Sequence, residues 1–256
     1  MGGALLKGWI ARKPGPIVVV EPKPSAALRA LARKKAVILV AAPLEVPAKN
    51  FSACLVALKP QILRDRAPEL ARFAQSGALM ISVAAGTHTR LLFRAWGRKA
   101  RIIRAMPNTP GAIGHGITGL YAARGTGLAD KRLAGRLLSA LGETVWVTKE
   151  DLIDSVTALS GSGPAYLFLM AEAMTEAGIA EGLPRAQAEK LARATVAGAG
   201  ALLAADKSPA RALREAVTSP GGTTAAALKV LMAGDGLEDL MKRAIHAARK
   251  RAEELR

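Results

Sequence analysis

Cysteine is almost absent from this chain. Cys54 is the only one, which excludes an internal disulfide and suits a reducing compartment. Histidine is nearly as scarce: His88, His115 and His246 are scattered without metal-ligand spacing, so no metal site is expected. Aromatic residues supply only 4% of the chain while apolar types supply 50%, so the core must be built from Ala, Leu, Val and Ile. No apolar run reaches membrane-spanning length and no secretory signal precedes the first Gly-rich segment. A cytoplasmic protein without a membrane partner is therefore expected. Acidic residues are also short, 20 against 37 Lys and Arg, which leaves a net charge of +17. Such a surface attracts any anion, nucleic acid and dinucleotides included. Yet the cations come in ones and twos, with the densest clusters at Arg33-Lys34-Lys35 and Arg249-Lys250-Arg251. No recognition-helix or zinc-finger pattern accompanies them, so most of this charge reads as solvated surface and no specific nucleic-acid partner is expected.

What is present is enough for two modest domains, since 256 residues can bury two real cores. Residues 1–149 alternate short apolar runs with helical patterns. Leu5, Leu6 and Ile10 mark one face of a first helix, and Ile17–Val20 reads as a buried strand ending at Glu21. A helix through Ala27, Leu28 and Leu31 leads to a second strand, Val37–Val40. Cys54–Leu58 is a further strand closed by Lys59-Pro60, and the next helix includes Ile62, Leu63, Leu70 and Phe73. Leu79–Val83 empties into Ala84-Ala85-Gly86; Ile102-Ile103 and 117–123 supply two more strands. A helix over 128–141 should end at Gly142 in the left-handed region, and Val145-Trp146-Val147 closes the domain. Strands and helices alternating at this length predict an α/β domain with a mostly parallel, doubly wound sheet.

Residues 150–256 lose the strand signals and become alanine-rich helices. The helix over 185–205 places Ala188, Ala192, Thr195 and Ala199 on one stripe, with Gly198 and Gly200 nearby. Small residues at that spacing allow close helix approach, within one chain or between two. About a hundred residues of mixed-polarity helices make a thin core for a monomer, which favours an obligate dimer.

Two stretches carry the chemistry. Thr218-Ser219-Pro220-Gly221-Gly222-Thr223-Thr224 precedes an apolar-periodic run and reads as a turn feeding a helix N-terminus. Free backbone N–H groups and the positive end of the helix dipole meet there, ready for a carboxylate or phosphate. The plainer reading is a loop in which Thr223 or Thr224 caps the helix. Ser160-Gly161-Ser162-Gly163-Pro164-Ala165-Tyr166 reads as a second turn of the same kind. In the sheet domain, ligands bind outside the carboxyl ends of strands. That points to Ala57, Leu58, Lys59 and Pro60, and to Ala84, Ala85 and Gly86, whose small side chains let a ring or phosphate approach the backbone.

These two strings, with Lys59-Pro60-Gln61 and Arg104–Pro110, resemble the delta-1-pyrroline-5-carboxylate reductase family, from Met1 to the end of the chain and most strongly over 157–224. The resemblance implies a Rossmann-like domain followed by an all-α dimerisation domain, and a homodimer that larger assemblies could be built from. The implied reaction is hydride transfer from NADPH, with NADH as a possible substitute, to the C=N bond of 1-pyrroline-5-carboxylate, giving L-proline. It implies that Thr224 bonds the ring nitrogen, that Ser219, Gly222 and Thr223 hold the carboxylate, and that the segment at Lys59 lies beside the nicotinamide.

The front of the chain departs from that family. A dinucleotide fold opens with a strand and Gly-x-Gly-x-x-Gly, whereas Met1-Gly2-Gly3-Ala4 looks like the end of that motif, leaving Met1 and Gly2 as its cofactor-bordering remnant. A start assigned too late is expected, with roughly ten further residues upstream encoding the strand and first glycines. Glu21, at the end of its strand, is placed to bond ribose hydroxyls, while Lys23 could offset a 2′-phosphate; the family preference favours NADPH. Two other readings remain: a β-hydroxyacid-type dehydrogenase, for which Lys190 and Lys207 are available but lie in no matching motif, and a non-catalytic basic interaction protein.

Overall fold

β-Branched and aliphatic runs form seven strands in a computed structural model that describes residues 1–12, 15–47 and 51–255. The expected domain limit at residue 256 lies outside these. The strands are β1 (Val18–Val20), β2 (Ile38–Val40), β3 (Ala53–Val56), β4 (Leu79–Ser82), β5 (Ile102–Met106), β6 (Gly116–Ala122) and β7 (Gly142–Trp146). Between and before them lie α1 (Gly2–Arg12), α2 (Ala26–Arg33), α3 (Pro60–Arg66), α4 (Ala71–Gln75), α5 (Thr89–Trp96) and α6 (Leu128–Leu138).

Strand periodicity divides the side chains between two faces. Cys54, Val56, Met80 and Ile102 join Leu63, Phe73, Leu92 and Trp96 from α3, α4 and α5. Their neighbours Leu55, Leu79, Ile81 and Ile103 turn the other way, onto Leu5 of α1 and Ala134 and Leu138 of α6. Helices on both faces make the sheet doubly wound. Fully burying a residue of Leu or Ile size contributes about 1.5–3 kcal/mol, and Leu5, Leu63, Leu79, Ile81, Leu92 and Leu138 are all fully buried. The sheet edge ligands would approach is set by this core.

The expected parallel sheet holds, with one exception and one gap. The ladder β3-β4-β5-β6-β7 is parallel throughout except where β6 runs antiparallel to β5, pairing Ile103 with Ala122 and Met106 with Gly119. β1 and β2 form a separate parallel pair, Val18 opposite Ile38. Val18 and Val40 pack against the same core as β3 and β4, yet among the described residues no ladder joins β1 to β3. Each of these two strands keeps an unpaired edge.

Several boundaries are corrected. α6 ends at Leu138, and Ser139–Leu141 tightens into a 3-10 turn. Gly142 has φ 127° and ψ −138°, so it is not in the left-handed helical region expected for it. It lies where only glycine is at ease, and a Cβ there would collide with the Gly116 carbonyl oxygen across the β6–β7 pair. β3 stops at Val56, so Ala57 and Leu58 lie beyond the strand.

The chain divides into two compact units: Met1–Gly161 with Arg249–Arg256, and Ser162–Ala248. The first unit continues from β7 through α7 (Leu152–Val156) into a π-helical turn, Thr157–Gly161. The second contains α8 (Gly163–Ala180), α9 (Arg185–Ala205), α10 (Ala210–Ala216) and α11 (Thr223–Leu231); α12 (Leu237–Glu254) begins in it and ends in the first. Within the second unit only Thr175, Ala188 and Ala192 are buried, while Leu167, Phe168, Leu169, Leu191, Leu202 and Leu203 are exposed. Thr195 and Ala199, on the expected stripe, are exposed too. No helix among the described residues is long and apolar enough to cross a membrane.

Candidate active site

In the first unit three helices begin beyond the carboxyl ends of strands or beside them, and their N-termini are not equivalent. α3 follows β3 and starts with Pro60 after Lys59, so its first position has no N–H to offer. α5 follows β4, and its first N–H, on Thr89, donates to Glu150 Oε1 at 2.7 Å. α1 starts at Gly2, where Ala4 and Leu5 donate to the Met1 carbonyl at 3.0 and 3.2 Å. The Gly2 and Gly3 N–H groups precede any intrahelical acceptor and point out of the helix end. A Cβ on Gly2 would stand 3.2 Å from the Ala57 Cβ, so the chain start lies against the carboxyl end of β3. The sequence-derived candidates Gly2 and Ala57 therefore meet, with Met1 exposed beside Gly2.

The turn after β4 is held at both ends. Val83 donates to the Val56 carbonyl at 3.1 Å, Ala84 is buried, and Ala85 and Gly86 are half-buried. Gly86 has φ +64°, and a Cβ there would stand 2.8 Å from the Leu255 carbonyl. Leu58 and Pro60 are half-buried; Ala57 and Lys59 are exposed. Small residues and one helix N-terminus thus lie together beyond the ends of these strands, and a Cβ at Gly2 would narrow the space beside Ala57.

Behind this turn lies a polar cluster that sequence reasoning missed. Glu150 accepts the Thr89 N–H and also the Thr89 hydroxyl (Oε2, 2.6 Å), and Arg104 Nη1 donates to Oε1 at 2.7 Å. The Arg104 side chain is 2% exposed. Burial pushes the Glu150 carboxyl up, but the bonds from Thr89 and Arg104 outweigh it and hold the group below its ordinary value. The available signal was Arg104 itself, a lone charge in the apolar run Ile102–Met106, which demands a partner; nothing in the spacing said which. His88 Nδ1 lies 3.5 Å from the same carboxylate. His88, Asp151 and Asp154 each bring one ligand atom within 4.8 Å of the others, a grouping invisible in the histidine spacing; both aspartates also have other interactions. The Cys54 thiol is pushed up to about 12 by burial, so it offers no thiolate at neutral pH.

Glu21 accepts the Lys23 N–H at 3.0 Å, closing the β1–α2 loop. The Ser160–Tyr166 stretch does precede a helix, but it is not a turn of the same kind as 218–224. Ser160 and Gly161 sit in the π-helical turn, where the Ser160 hydroxyl donates to the Val156 carbonyl at 3.0 Å, and α8 resumes at Gly163.

The turn at 218–224 does feed a helix. Gly222 donates to the Ser219 carbonyl at 3.0 Å, with Pro220 and Gly221 (φ +71°) between them, the residue pattern of a type II turn. Gly222 is the N-cap of α11, and no side chain caps it. Neither Thr223 nor Thr224 plays the capping role of the plainer reading. The Thr218 hydroxyl is spent on the Arg214 carbonyl at 2.7 Å. Ser219 and Thr223 are exposed and Thr224 is half-buried. A Cβ on Gly222 would collide with Ser219 Oγ, so the missing side chain leaves that hydroxyl over the turn. Lys190 is an exposed residue of α9, and Lys207 donates to the Ala204 carbonyl at 3.1 Å.

A doubly wound α/β unit with an open helix N-terminus beside strand ends, followed by a helical unit with little core of its own, defines the class of two-part Rossmann-like oxidoreductases. Residues 150–255 match the family model described as pyrroline-5-carboxylate reductase dimerisation. A pyrroline-5-carboxylate reductase from Synechocystis sp. is 37% identical over 256 residues, covering 100% of this chain and 94% of that protein. The chain belongs to the pyrroline-5-carboxylate reductase family. A relative of the same name from Pseudomonas aeruginosa is 43% identical over 203 residues, 78% of this chain and 73% of that protein. Among solved structures, a pyrroline-5-carboxylate reductase from Coxiella burnetii superposes with a TM-score of 0.91 at 37% identity, covering 99% of this chain and 94% of that one. A Plasmodium falciparum pyrroline carboxylate reductase solved with NADP bound gives 0.80 at 25% identity, over 100% and 94%.

Proposed function

We propose that this chain reduces 1-pyrroline-5-carboxylate to L-proline with NADPH, the last step of proline biosynthesis, NADH being accepted as a substitute. It is an NAD(P)-dependent oxidoreductase of the C=N bond, as its family membership requires. The observation that carries the residue-level reading is the uncapped N-terminus of α11, preceded by a glycine turn and lined by Ser219, Thr223 and Thr224.

In this reading the N–H groups at Gly222 and Thr223, with the Ser219 and Thr223 hydroxyls, hold the substrate carboxylate against the positive helix end. The Thr224 hydroxyl bonds the ring nitrogen and fixes the ring's orientation. A protonated imine is already electrophilic at carbon, so orientation and modest polarisation are enough and no strong acid is needed. Thr224 is the catalytic residue in that limited sense. Met1 and Gly2, at the open end of α1, border the cofactor's phosphates; Ala57, Leu58, Lys59, Pro60, Ala84, Ala85 and Gly86 line the path to the nicotinamide. When bound, the reduced nicotinamide supplies the hydride, and the imine nitrogen keeps its proton as the amine forms.

The working form is a homodimer joined through the helical unit, whose exposed Leu and Phe side chains need a cover. Larger assemblies of such dimers are compatible with it, no nucleic acid takes part, and the enzyme works in the cytoplasm. Purified protein should consume NADPH only when 1-pyrroline-5-carboxylate is added, and form proline one for one. NADPH oxidation without proline, or none at all, overturns the assignment.

A further inference from the structure

We infer that Glu150 is a positioning residue for cofactor binding: it fixes the Ala84–Gly86 turn by capping α5 from a distance. The inference rests on the reading of that turn as part of the cofactor surface.

α5 lacks a cap of its own. His88 occupies the N-cap position with extended backbone, φ −72° and ψ 149°, and its side chain makes no capping bond. Glu150, 61 residues further along the chain, does this job, taking both the Thr89 N–H and the Thr89 hydroxyl. An ionised carboxylate at a helix N-terminus is favoured by the dipole and by charge-assisted bonds. Arg104 then anchors the carboxylate to β5. Three segments distant in sequence are tied at one group: the start of α5, the middle of β5, and Glu150, two residues before α7.

The tie matters because of what it terminates. Between Ser82, the last residue of β4, and Thr89, the first of α5, lie six residues: Val83 to His88. The front of this segment is pinned by the Val83 bond to β3 and its back by Thr89 on Glu150. Inside it the restraints are weak: Ala84 N–H to Ser82 Oγ and Thr87 Oγ1 to the Ala85 carbonyl are both 3.4 Å. Gly86 adds a left-handed residue with no side chain to wedge it. Releasing Thr89 therefore removes one of the two ties that hold the turn in register. The same carboxylate also fills the α5 N-terminus, so a cofactor phosphate is directed to the open end of α1 instead.

The test uses the full-length protein and NADPH itself. Glu150→Gln replaces an acceptor oxygen by an N–H donor facing Thr89 or Arg104, and Thr89→Val deletes only the hydroxyl. The NADPH Kd, read by fluorescence titration, should rise on the order of tenfold in Glu150→Gln and about threefold in Thr89→Val. The KM for pyrroline-5-carboxylate should stay within about twofold, and Thr89→Ser should restore wild-type binding. The double variant should bind NADPH no more weakly than Glu150→Gln alone, since both act through one contact. A purely structural role would lower Tm and the active fraction while leaving the Kd of the folded fraction intact. Unchanged NADPH Kd in folded Thr89→Val and Glu150→Gln overturns the inference. Ala85→Leu separates the two ideas: if it weakens NADPH while the Glu150 and Thr89 variants do not, only the positioning role fails. If it too has no effect, the reading of the turn fails.

Discussion

Gly2 and Ala57 lie so close that a methyl group on Gly2 would stand 3.2 Å from the Ala57 Cβ. The first helix therefore begins beside the end of β3, and the open N–H groups of α1 share a surface with the segment before Lys59. Contact at that distance tolerates a small shift but not a branched side chain. Gly2→Ala should bind NADPH within about threefold of wild type, and Gly2→Val on the order of tenfold more weakly. Ala85→Leu should likewise raise the KM for NADPH with kcat little changed, because a bulky group blocks backbone approach. Equal NADPH binding in Gly2→Val and wild type would detach the α1 end from the cofactor.

The unpaired edges of β1 and β3 give a second prediction. Both strands pack on one core but share no ladder, so backbone donors and acceptors along each edge lack strand partners. Residues added ahead of Met1, an apolar strand followed by Gly-x-Gly, would have an edge on each side to pair with. Each ladder bond adds about 0.5–1.5 kcal/mol net. The extended protein should melt at higher temperature and bind NADPH more tightly than the chain starting at Met1. An unchanged Tm would mean that the two edges are not accessible to such a strand.

How much of this could be read from the chain depended on the range of the interaction. The alternation of short apolar runs such as Leu79–Val83 with helical patterns is local, and it made the doubly wound α/β class legible. The antiparallel turn-back of β6 onto β5 was not legible, because β6 reads as an apolar run whichever way it points. Gly142 was recognised as a special backbone position, yet its actual φ and ψ are set by the close approach of Gly116, a long-range contact. The 218–224 turn was legible since Pro220 and Gly221 carry their own conformational preferences. The π-helical form of Ser160-Gly161 was not legible, because a π-helical turn leaves no distinct residue signature. Glu150 escaped altogether: its role exists only where α5, β5 and the segment before α7 meet.

Glu150 also sets an acid limit. Its carboxyl is held below its ordinary value in the folded chain, burial being outweighed by Thr89 and Arg104. A group depressed on folding stabilises fully above its unfolded pKa, and that contribution is lost as pH falls through the folded pKa. Wild type should therefore exceed Glu150→Gln in Tm at neutral pH, with the gap closing as the solution is taken below the carboxylate range. A gap that is independent of pH would show that the ionised form of Glu150 is not the stabilising one.

Association should be visible in stability. The helical unit buries only Thr175, Ala188 and Ala192, and Phe168 is 64% exposed. If a second copy covers these faces, Tm rises with protein concentration, each tenfold increase being worth about 1.4 kcal/mol of dimer. Phe168→Asp should sediment as a monomer or fail to accumulate in folded form. A Tm that ignores concentration, with monomer mass for wild type, rejects the dimer.

Thr224 carries the sharpest prediction. It is half-buried in the first turn of α11, and the cap of that helix is Gly222, which has no side chain to contribute. Removing the Thr224 hydroxyl therefore costs the helix no capping bond, so Thr224→Ala should melt close to wild type. Its effect should fall on the substrate ring. A hydrogen bond to a charged group is worth about 1.5–3 kcal/mol, which corresponds to roughly a 10- to 150-fold loss in kcat/KM if it is fully formed in the transition state. The backbone donors of Gly222 and Thr223 remain in place, so the carboxylate is still held. NADPH affinity should barely change. Thr224→Ser keeps the hydroxyl and should keep most of the activity. Steady-state kinetics with a melting curve decide the matter: a Thr224→Ala protein with normal kcat/KM removes Thr224 from the reaction, whatever its Tm.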